Sequence, residues 1–145
     1  MKKHLASEIV IDAPPQAVWQ VLTDFAAYPA WNPFIVGING EVANGARLDV
    51  RIQPVGGKMM RFRPQIIACD VPQHLRWRGT LIIPGLFDGE HDFRLERLAD
   101  GRTRLLHSET FSGLLVRPLA KKLEAQTLPG FVAMNAALKE RVERG

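Results

Sequence analysis

The sequence has very little cysteine and no long run of apolar residues. Its single cysteine, Cys69, excludes an internal disulfide and a cysteine-based zinc site, and it favours a reducing compartment. No segment approaches the roughly 20 apolar residues of a membrane-spanning helix. The N-terminal segment "MKKHLASEIVI" lacks the uninterrupted apolar stretch of a secretory signal, because Ser7 and Glu8 interrupt it. Together these absences predict a cytoplasmic protein.

Clustered cations and nucleotide-binding motifs are also scarce. The net charge of +4 is spread thinly along the chain, whereas nucleic-acid binding needs clustered cations. No G-x-S-x-G, Walker or G-x-G-x-x-G motif occurs, so serine hydrolase, NTPase and dinucleotide-binding functions have no support. With 46% hydrophobic and 23% charged residues, the sequence is typical of a globular protein. Its length predicts one domain over residues 1–145.

The spacing of hydrophobic residues predicts an α+β chain. A first strand covers Leu5–Asp12, "APPQAVWQVLTDF" predicts a short amphipathic helix, and "AAYPAWNPF" a compact turn or second short helix. Period-two alternation then predicts strands in "ARLDVRIQP", "KMMRFRPQIIACD", "HLRWRGTL", "GEHDFRLERL" and "RTRLLHSETF". The C-terminal 33 residues predict one long amphipathic helix, which we expect Pro129–Gly130 to kink. Short loops make the sheet antiparallel, and the helix should cover its apolar side.

Two hairpins determine which side chains face each other. In the first, a four-residue loop pairs Cys69 with His74 and suggests a bend or bulge where a proline meets a glycine. The opposite pairs are then Ala68 with Leu75, Ile66 with Trp77, Pro64 with Gly79 and Phe62 with Leu81.

The second hairpin has two competing registers around "ADG". A two-residue turn sets Asp92 against Glu109, which places like charges together. A three-residue loop with Gly101 left-handed places apolar opposite apolar and charge opposite charge, so we adopt it. Its pairs are Leu95 with Leu105, Phe93 with His107, His91 with Glu109 and Glu96 with Arg104. We therefore expect His91 and Glu109 to be direct neighbours on the concave side of the sheet.

Four segments resemble a known superfamily. "IVIDAPPQAVWQVLTDFAAYPAWNPFI", "PQHLRWRG", "GEHDFRLE" and "RTRLLHSETFSGLL" are similar to SRPBCC proteins: START lipid-transfer domains, polyketide cyclase/dehydrase-like proteins and plant pathogenesis-related allergens. The resemblance runs from roughly Leu5 to Glu143. It implies the α+β helix-grip fold, in which a seven-stranded antiparallel sheet wraps around a long C-terminal helix and two short helices follow the first strand. It also implies a ligand cavity between sheet and helix, open near one end of the helix.

An inward-facing ionisable cluster is the candidate site. His91 and Glu109 are the catalytic candidates, with Glu109 orienting His91 as a general base next to a carbonyl, and this chemistry needs no cofactor. The same residues, with His107, can instead form a self-satisfied buried pair or anchor the polar end of a ligand. We expect no metal site, because strand neighbours seldom converge on one ion.

Large apolar side chains are the remaining site candidates, and each can equally be plain core. The candidate ligand-binding residues are Trp31, Phe34, Met60, Phe62, Trp77, Phe87, Phe93, His107, Phe111, Phe131 and Met134.

Three functions from different classes stay open. The leading one is binding or transport of a hydrophobic small molecule, lipid or polyketide-like, between the sheet and the C-terminal helix. The second is a cofactor-free cyclase or dehydratase that uses His91 and Glu109. The third is a chaperone-interacting or regulatory module on the outer sheet face, whose arginines are Arg47, Arg51, Arg61, Arg63, Arg76 and Arg78. We expect no nucleic-acid partner, no stable membrane insertion, and a monomer or homodimer.

Overall fold

The computed structural model describes residues 2–80, 83 and 85–145. The chain begins with strand β1 (Lys2–Ile11), and the two expected short helices follow as α1 (Pro15–Thr23) and α2 (Tyr28–Trp31), joined by a 3-10 turn. Helix α1 begins at a proline, which has no N–H to leave unpaired in a first turn. The strands that follow are β2 (Ile35–Asn39), β3 (Asp49–Ile52), β4 (Met60–Phe62), β5 (Gln65–Asp70), β6 (His74–Thr80), β7 (Asp88–Arg97) and β8 (Thr103–Ser112). Helix α3 (Val116–Arg144) completes the chain.

The described strands form two antiparallel sheets. One has the order β1-β8-β7-β6-β5 and the other the order β2-β3-β4. An isolated bridge between Arg47 and Gln65 joins them, and the amide of Leu48 donates to the carbonyl of Pro64 at 2.8 Å. The architecture is the expected α+β helix grip, but with five and three strands instead of one seven-stranded sheet. The predicted strand "KMMRFRPQIIACD" is divided at Pro64, because proline cannot donate to the strand ladder.

The β7–β8 hairpin has the predicted register. His91 pairs with Glu109, Phe93 with His107, and Leu95 with Leu105. Gly101 has the expected left-handed backbone, with φ of +87°. The prediction is confirmed because the turn and the cross-strand pairs favour the same alignment.

The β5–β6 hairpin differs from its predicted register near the turn. Asp70, not Cys69, pairs with His74, since the loop contains three residues instead of four. A bulge between Ile66 and Ala68 absorbs the one-residue difference, so Ile66 still pairs with Trp77 as expected. The expected partner of Phe62, Leu81, lies outside the described residues.

Helix α3 packs unevenly on the larger sheet. It is a single helix through Pro129, and its buried apolar side chains in the C-terminal half are Phe131, Met134, Leu138 and Val142. In the first half of the helix Val116 is fully buried, whereas Leu119 and Leu123 are only partly buried. The C-terminal half therefore closes the core, whereas the segment around Leu119 and Leu123 stands over open space. None of the described helices is long and apolar enough to cross a membrane.

Candidate functional site

A cavity of about 730 Å³ lies between the first half of α3 and the two sheets. This volume falls within the range of about 300–1,000 Å³ that is typical of small-molecule sites. The exposed lining residues mark its opening, which lies between the β3–β4 loop and α3. The apolar lining side chains include Phe34, Val50, Ile52, Met60, Phe62, Trp77, Phe87, Phe111, Leu115, Leu119 and Leu123. The wall is thus predominantly apolar and comes from both sheets and the helix.

The structure separates the predicted site residues into three groups: the cavity lining, the closed core behind it, and Trp31 by itself. The cavity lining includes Phe34, Met60, Phe62, Trp77, Phe87, His91, Glu109 and Phe111. Behind that lining, in the closed core, lie Phe93, His107, Phe131 and Met134.

Trp31 lies away from the cavity. It contributes to a surface depression with Val21 and Arg141, and its ring contacts Tyr28 at a centroid distance of 5.1 Å. Tyr28 is fully buried, and the short helix α2 consequently directs Trp31 towards the C-terminal end of α3.

Four polar side chains extend in a line from the cavity wall into the core. The carboxyl of Glu109 lies 3.5 Å from Nδ1 of His91, and Nε2 of His91 lies 2.6 Å from Nε2 of His107. Nδ1 of His107 is 2.8 Å from Oδ1 of Asn135. The side chain of Glu109 is 14% exposed, whereas His91, His107 and Asn135 are at most 2% exposed. Glu109 is therefore the most exposed member of this line, and it lines the cavity together with His91.

Aromatic rings enclose the two histidines. His91 stacks on Trp77 with ring centroids 5.1 Å apart, and His107 stacks on Phe131 at 4.1 Å. Burial lowers the pKa of His107 well below its ordinary value, and the neighbouring His91 lowers it further, whereas the hydrogen bond to Oδ1 of Asn135 acts in the opposite direction. His107 is therefore a neutral imidazole at neutral pH.

Gly89 leaves the space that the Glu109 carboxyl occupies. A Cβ atom at Gly89 would lie 2.8 Å from Oε2 of Glu109. Any larger residue at this position of β7 would push the carboxyl away from its present place beside His91. The absence of a side chain at Gly89 thus helps to present Glu109 to the cavity.

Asn135 and Ser7 are polar residues of the core that the sequence reasoning missed. The Asn135 amide donates to Oγ of Ser7 at 2.9 Å, and Ser7 donates to the carbonyl of His107 at 3.2 Å. Asn135 lies four residues after Phe131, on the apolar stripe of α3. Ser7 lies two residues after Leu5 and therefore on the same, inward side of β1. A polar residue at an inward position was the available signal.

Two lysines flank the opening of the cavity. Lys58 lies on the β3–β4 loop and Lys122 on α3, and both are exposed lining residues. The loop and helix meet one turn after Lys122, where the carbonyl of Gln126 accepts from the amide of Val55 at 3.2 Å. Of the lysines that the structure describes, only Lys3 and Lys139 form ion pairs with carboxylates. The opening is therefore positively charged.

Arginines on the outer face of the larger sheet are largely engaged within the sheet. Arg76 and Arg94 both donate to the buried carboxylate of Asp92, at 3.0 and 3.2 Å. Arg78 lies 3.8 Å from Asp88. Of the six arginines that suggested a regulatory module, Arg76 and Arg78 are engaged in this way.

Comparison with known proteins gives one family and several similar structures. The model of the family described as polyketide cyclase / dehydrase and lipid transport matches residues 2–143. No curated protein matches the chain.

Solved structures share the fold at low sequence identity. The Zhui aromatase/cyclase from Streptomyces sp. R1128 is 20% identical, with a TM-score of 0.80 over 99% of this chain and 95% of that chain. The hypothetical protein jhp0584 from Helicobacter pylori is 20% identical, with a TM-score of 0.79 over 97% and 88% of the two chains. A point mutant of norcoclaurine synthase from Thalictrum flavum is 14% identical, with a TM-score of 0.76 over 99% and 96%. These likenesses establish the fold.

Proposed function

This chain belongs to the polyketide cyclase/dehydrase and lipid transport family of the SRPBCC superfamily, and on that premise we propose that its cavity binds a hydrophobic small molecule, either a lipid or a polyketide-like compound. The observation that carries the proposal is the apolar cavity of about 730 Å³ under α3. Protein interiors are otherwise packed as densely as organic crystals, and voids larger than a water molecule are few. An apolar molecule that fills this space removes apolar wall from water and stabilises the complex.

The charged opening supports an orientation for the ligand. Lys58 and Lys122 lie at the mouth, and the interior beyond them is apolar up to the His91 and Glu109 side chains. A ligand with an anionic end, such as a fatty acid, would place that end between the lysines and its apolar body among the aromatic side chains. Long-range attraction by the lysines also increases the rate of encounter with such a ligand.

A fluorescent fatty acid tests this proposal directly. We expect cis-parinaric acid to bind saturably with one site per chain. Thr127→Phe places a ring in the cavity, because Thr127 lines it, and should weaken binding at least about tenfold, or about 1.4 kcal/mol. Ala125→Phe is the matched control, since Ala125 is exposed on the same helix and absent from the lining. Equal binding by both variants, or none by the wild type, would contradict the proposal.

A cofactor-free proton-transfer enzyme is the second candidate function. The observation that favours it is the His91–Glu109 pair, whose Nδ1 and Oε1 atoms lie 3.5 Å apart in the cavity wall. The fold shared with an aromatase/cyclase adds support. With a poly-β-ketone thioester as substrate, we expect Glu109→Gln to abolish turnover and leave binding largely intact. Substrate that stays unchanged with the wild-type protein would count against the enzyme and in favour of the carrier.

A further inference from the structure

Both ring nitrogens of His91 face other side chains. Nε2 lies 2.6 Å from Nε2 of His107, and Nδ1 faces Oε1 of Glu109 at 3.5 Å. The other oxygen of Glu109, Oε2, lies beside the bare backbone of Gly89, and no hydrogen bond to it occurs among the described residues. This arrangement reverses the roles expected from the sequence, because the free polar atom belongs to Glu109, whereas each nitrogen of His91 already has a neighbour.

The direction of the hydrogen bonds is set at the inner end of the line. The hydroxyl of Ser7 has one hydrogen, which it donates to the carbonyl of His107 at 3.2 Å. Ser7 therefore accepts from Nδ2 of Asn135 at 2.9 Å, and this orients the amide. Oδ1 of Asn135 then faces Nδ1 of His107 at 2.8 Å and can only accept, so His107 has its hydrogen on Nδ1.

The position of the hydrogen on His107 determines which nitrogen of His91 is the donor. Because His107 is neutral with its hydrogen on Nδ1, its Nε2 is an acceptor, and His91 must donate to it from Nε2. The second ring nitrogen of His91, Nδ1, is the one that faces Oε1 of Glu109, at 3.5 Å.

We propose that Asn135 and His107 are positioning residues that hold the ring hydrogen of His91 on Nε2, so that Nδ1 of His91 faces Glu109 and the free oxygen of Glu109 is the polar atom that meets the ligand. The ligand itself rests on the proposed function, whereas the hydrogen pattern exists in the free protein. Lys58 and Lys122 are the other charged side chains that line the cavity.

Nitrogen-15 NMR of labelled histidine rings tests the pattern without any ligand. In the wild type we expect His107 to be protonated on Nδ1 alone and His91 to be protonated on Nε2. Asn135→Asp keeps the shape but replaces the amide by a carboxylate, which stabilises a second hydrogen on His107. His107 then donates from Nε2, and the hydrogen of His91 should move to Nδ1, giving an exchange of its protonated and unprotonated ring resonances.

Ser7→Ala provides a milder second variant that leaves both histidines in place. Without the hydroxyl the Asn135 amide loses its orienting partner, and we expect a mixture of both ring tautomers. Ser108→Ala is the matched control, because Ser108 follows His107 on β8 and points to the opposite face. A wild-type His107 protonated on Nε2, or His91 resonances that neither Asn135→Asp nor Ser7→Ala alters, would overturn the proposal. If the wild-type protein fails to bind cis-parinaric acid while its histidine resonances show the expected pattern, the proposed function alone is refuted.

Discussion

Replacement of Gly130 by alanine tests how α3 and Phe34 together close the cavity. A Cβ atom at Gly130 would lie 2.2 Å from Cδ1 and 2.5 Å from Cε1 of Phe34, whereas carbon atoms in contact are about 3.5–4.0 Å apart. The Phe34 ring must therefore move by roughly 1 Å or more. The same ring also contacts Phe131 edge-on at a centroid distance of 5.6 Å. The space left for the displaced ring is the cavity that Phe34 already lines.

The expected size of the effect follows from two opposing contributions. Alanine in a helix interior is favoured over glycine by about 1 kcal/mol. Overpacking of a dense core costs about 1–3 kcal/mol, and an overlap this deep belongs in the upper part of that range. We therefore expect Gly130→Ala to lower the free energy of unfolding by about 1–2 kcal/mol. The displaced ring should also weaken binding of cis-parinaric acid, because it occupies ligand space.

Urea denaturation and fatty-acid titration measure the two effects on the same samples. The double variant Gly130→Ala/Phe34→Leu replaces the ring by a smaller side chain and relieves the overlap. We expect the two substitutions to be non-additive by about 1 kcal/mol or more, since the residues are in contact. If Gly130→Ala instead raises stability by about 1 kcal/mol and leaves binding unchanged, the close contact between Phe34 and the helix backbone is not present in solution.

Three further predictions concern protonation, charge and space at the site. The lowered pKa of buried His107 means that the unfolded chain binds a proton more readily than the folded protein, so stability is full above about pH 6.5 and falls below it by up to about 1.4 kcal/mol per pH unit. His107→Phe should therefore flatten the pH dependence of the urea midpoint between pH 5 and 7. An unchanged pH dependence in this variant would refute the reasoning. Lys58→Ala with Lys122→Ala should weaken binding of cis-parinaric acid but not of the uncharged probe retinol, and high salt should reproduce the loss. Gly89→Ala should displace the Glu109 carboxyl and shift the His91 ring resonances while changing stability little, because the atom met is the end of a flexible side chain; unshifted resonances would contradict the contact.

Local signals account for what could be predicted from the sequence. The β7–β8 register depends on Gly101 and on pairs such as His91 with Glu109, all within one hairpin, and it is confirmed. The overall order of helices and strands also follows from periodicity. The division at Pro64 and the bulge after Ile66 were harder to foresee, because a continuous alternation in sequence hides where one sheet ends and another begins.

Contacts between distant segments account for what could not be predicted. Asn135 meets Ser7 across 128 positions of the chain, and nothing near either residue indicates the other. The roles within the His91–Glu109 pair likewise depend on His107 and Asn135 behind them, and not on the pair alone. Trp31 is a similar case, because its distance from the cavity depends on how α2 packs against the end of α3.

The uneven packing of α3 gives its two halves different free energies of local opening. Residues such as Phe131 and Leu138 are fully buried, so the C-terminal half can exchange its amide hydrogens only when much of the core opens. The half above the cavity, around Leu119 and Leu123, is held by fewer buried contacts and should exchange faster. Ligand entry beside the β3–β4 loop therefore involves the less firmly packed half of the helix. A bound ligand would slow exchange mainly in that half, and the remainder of the fold would stay closed throughout loading and release.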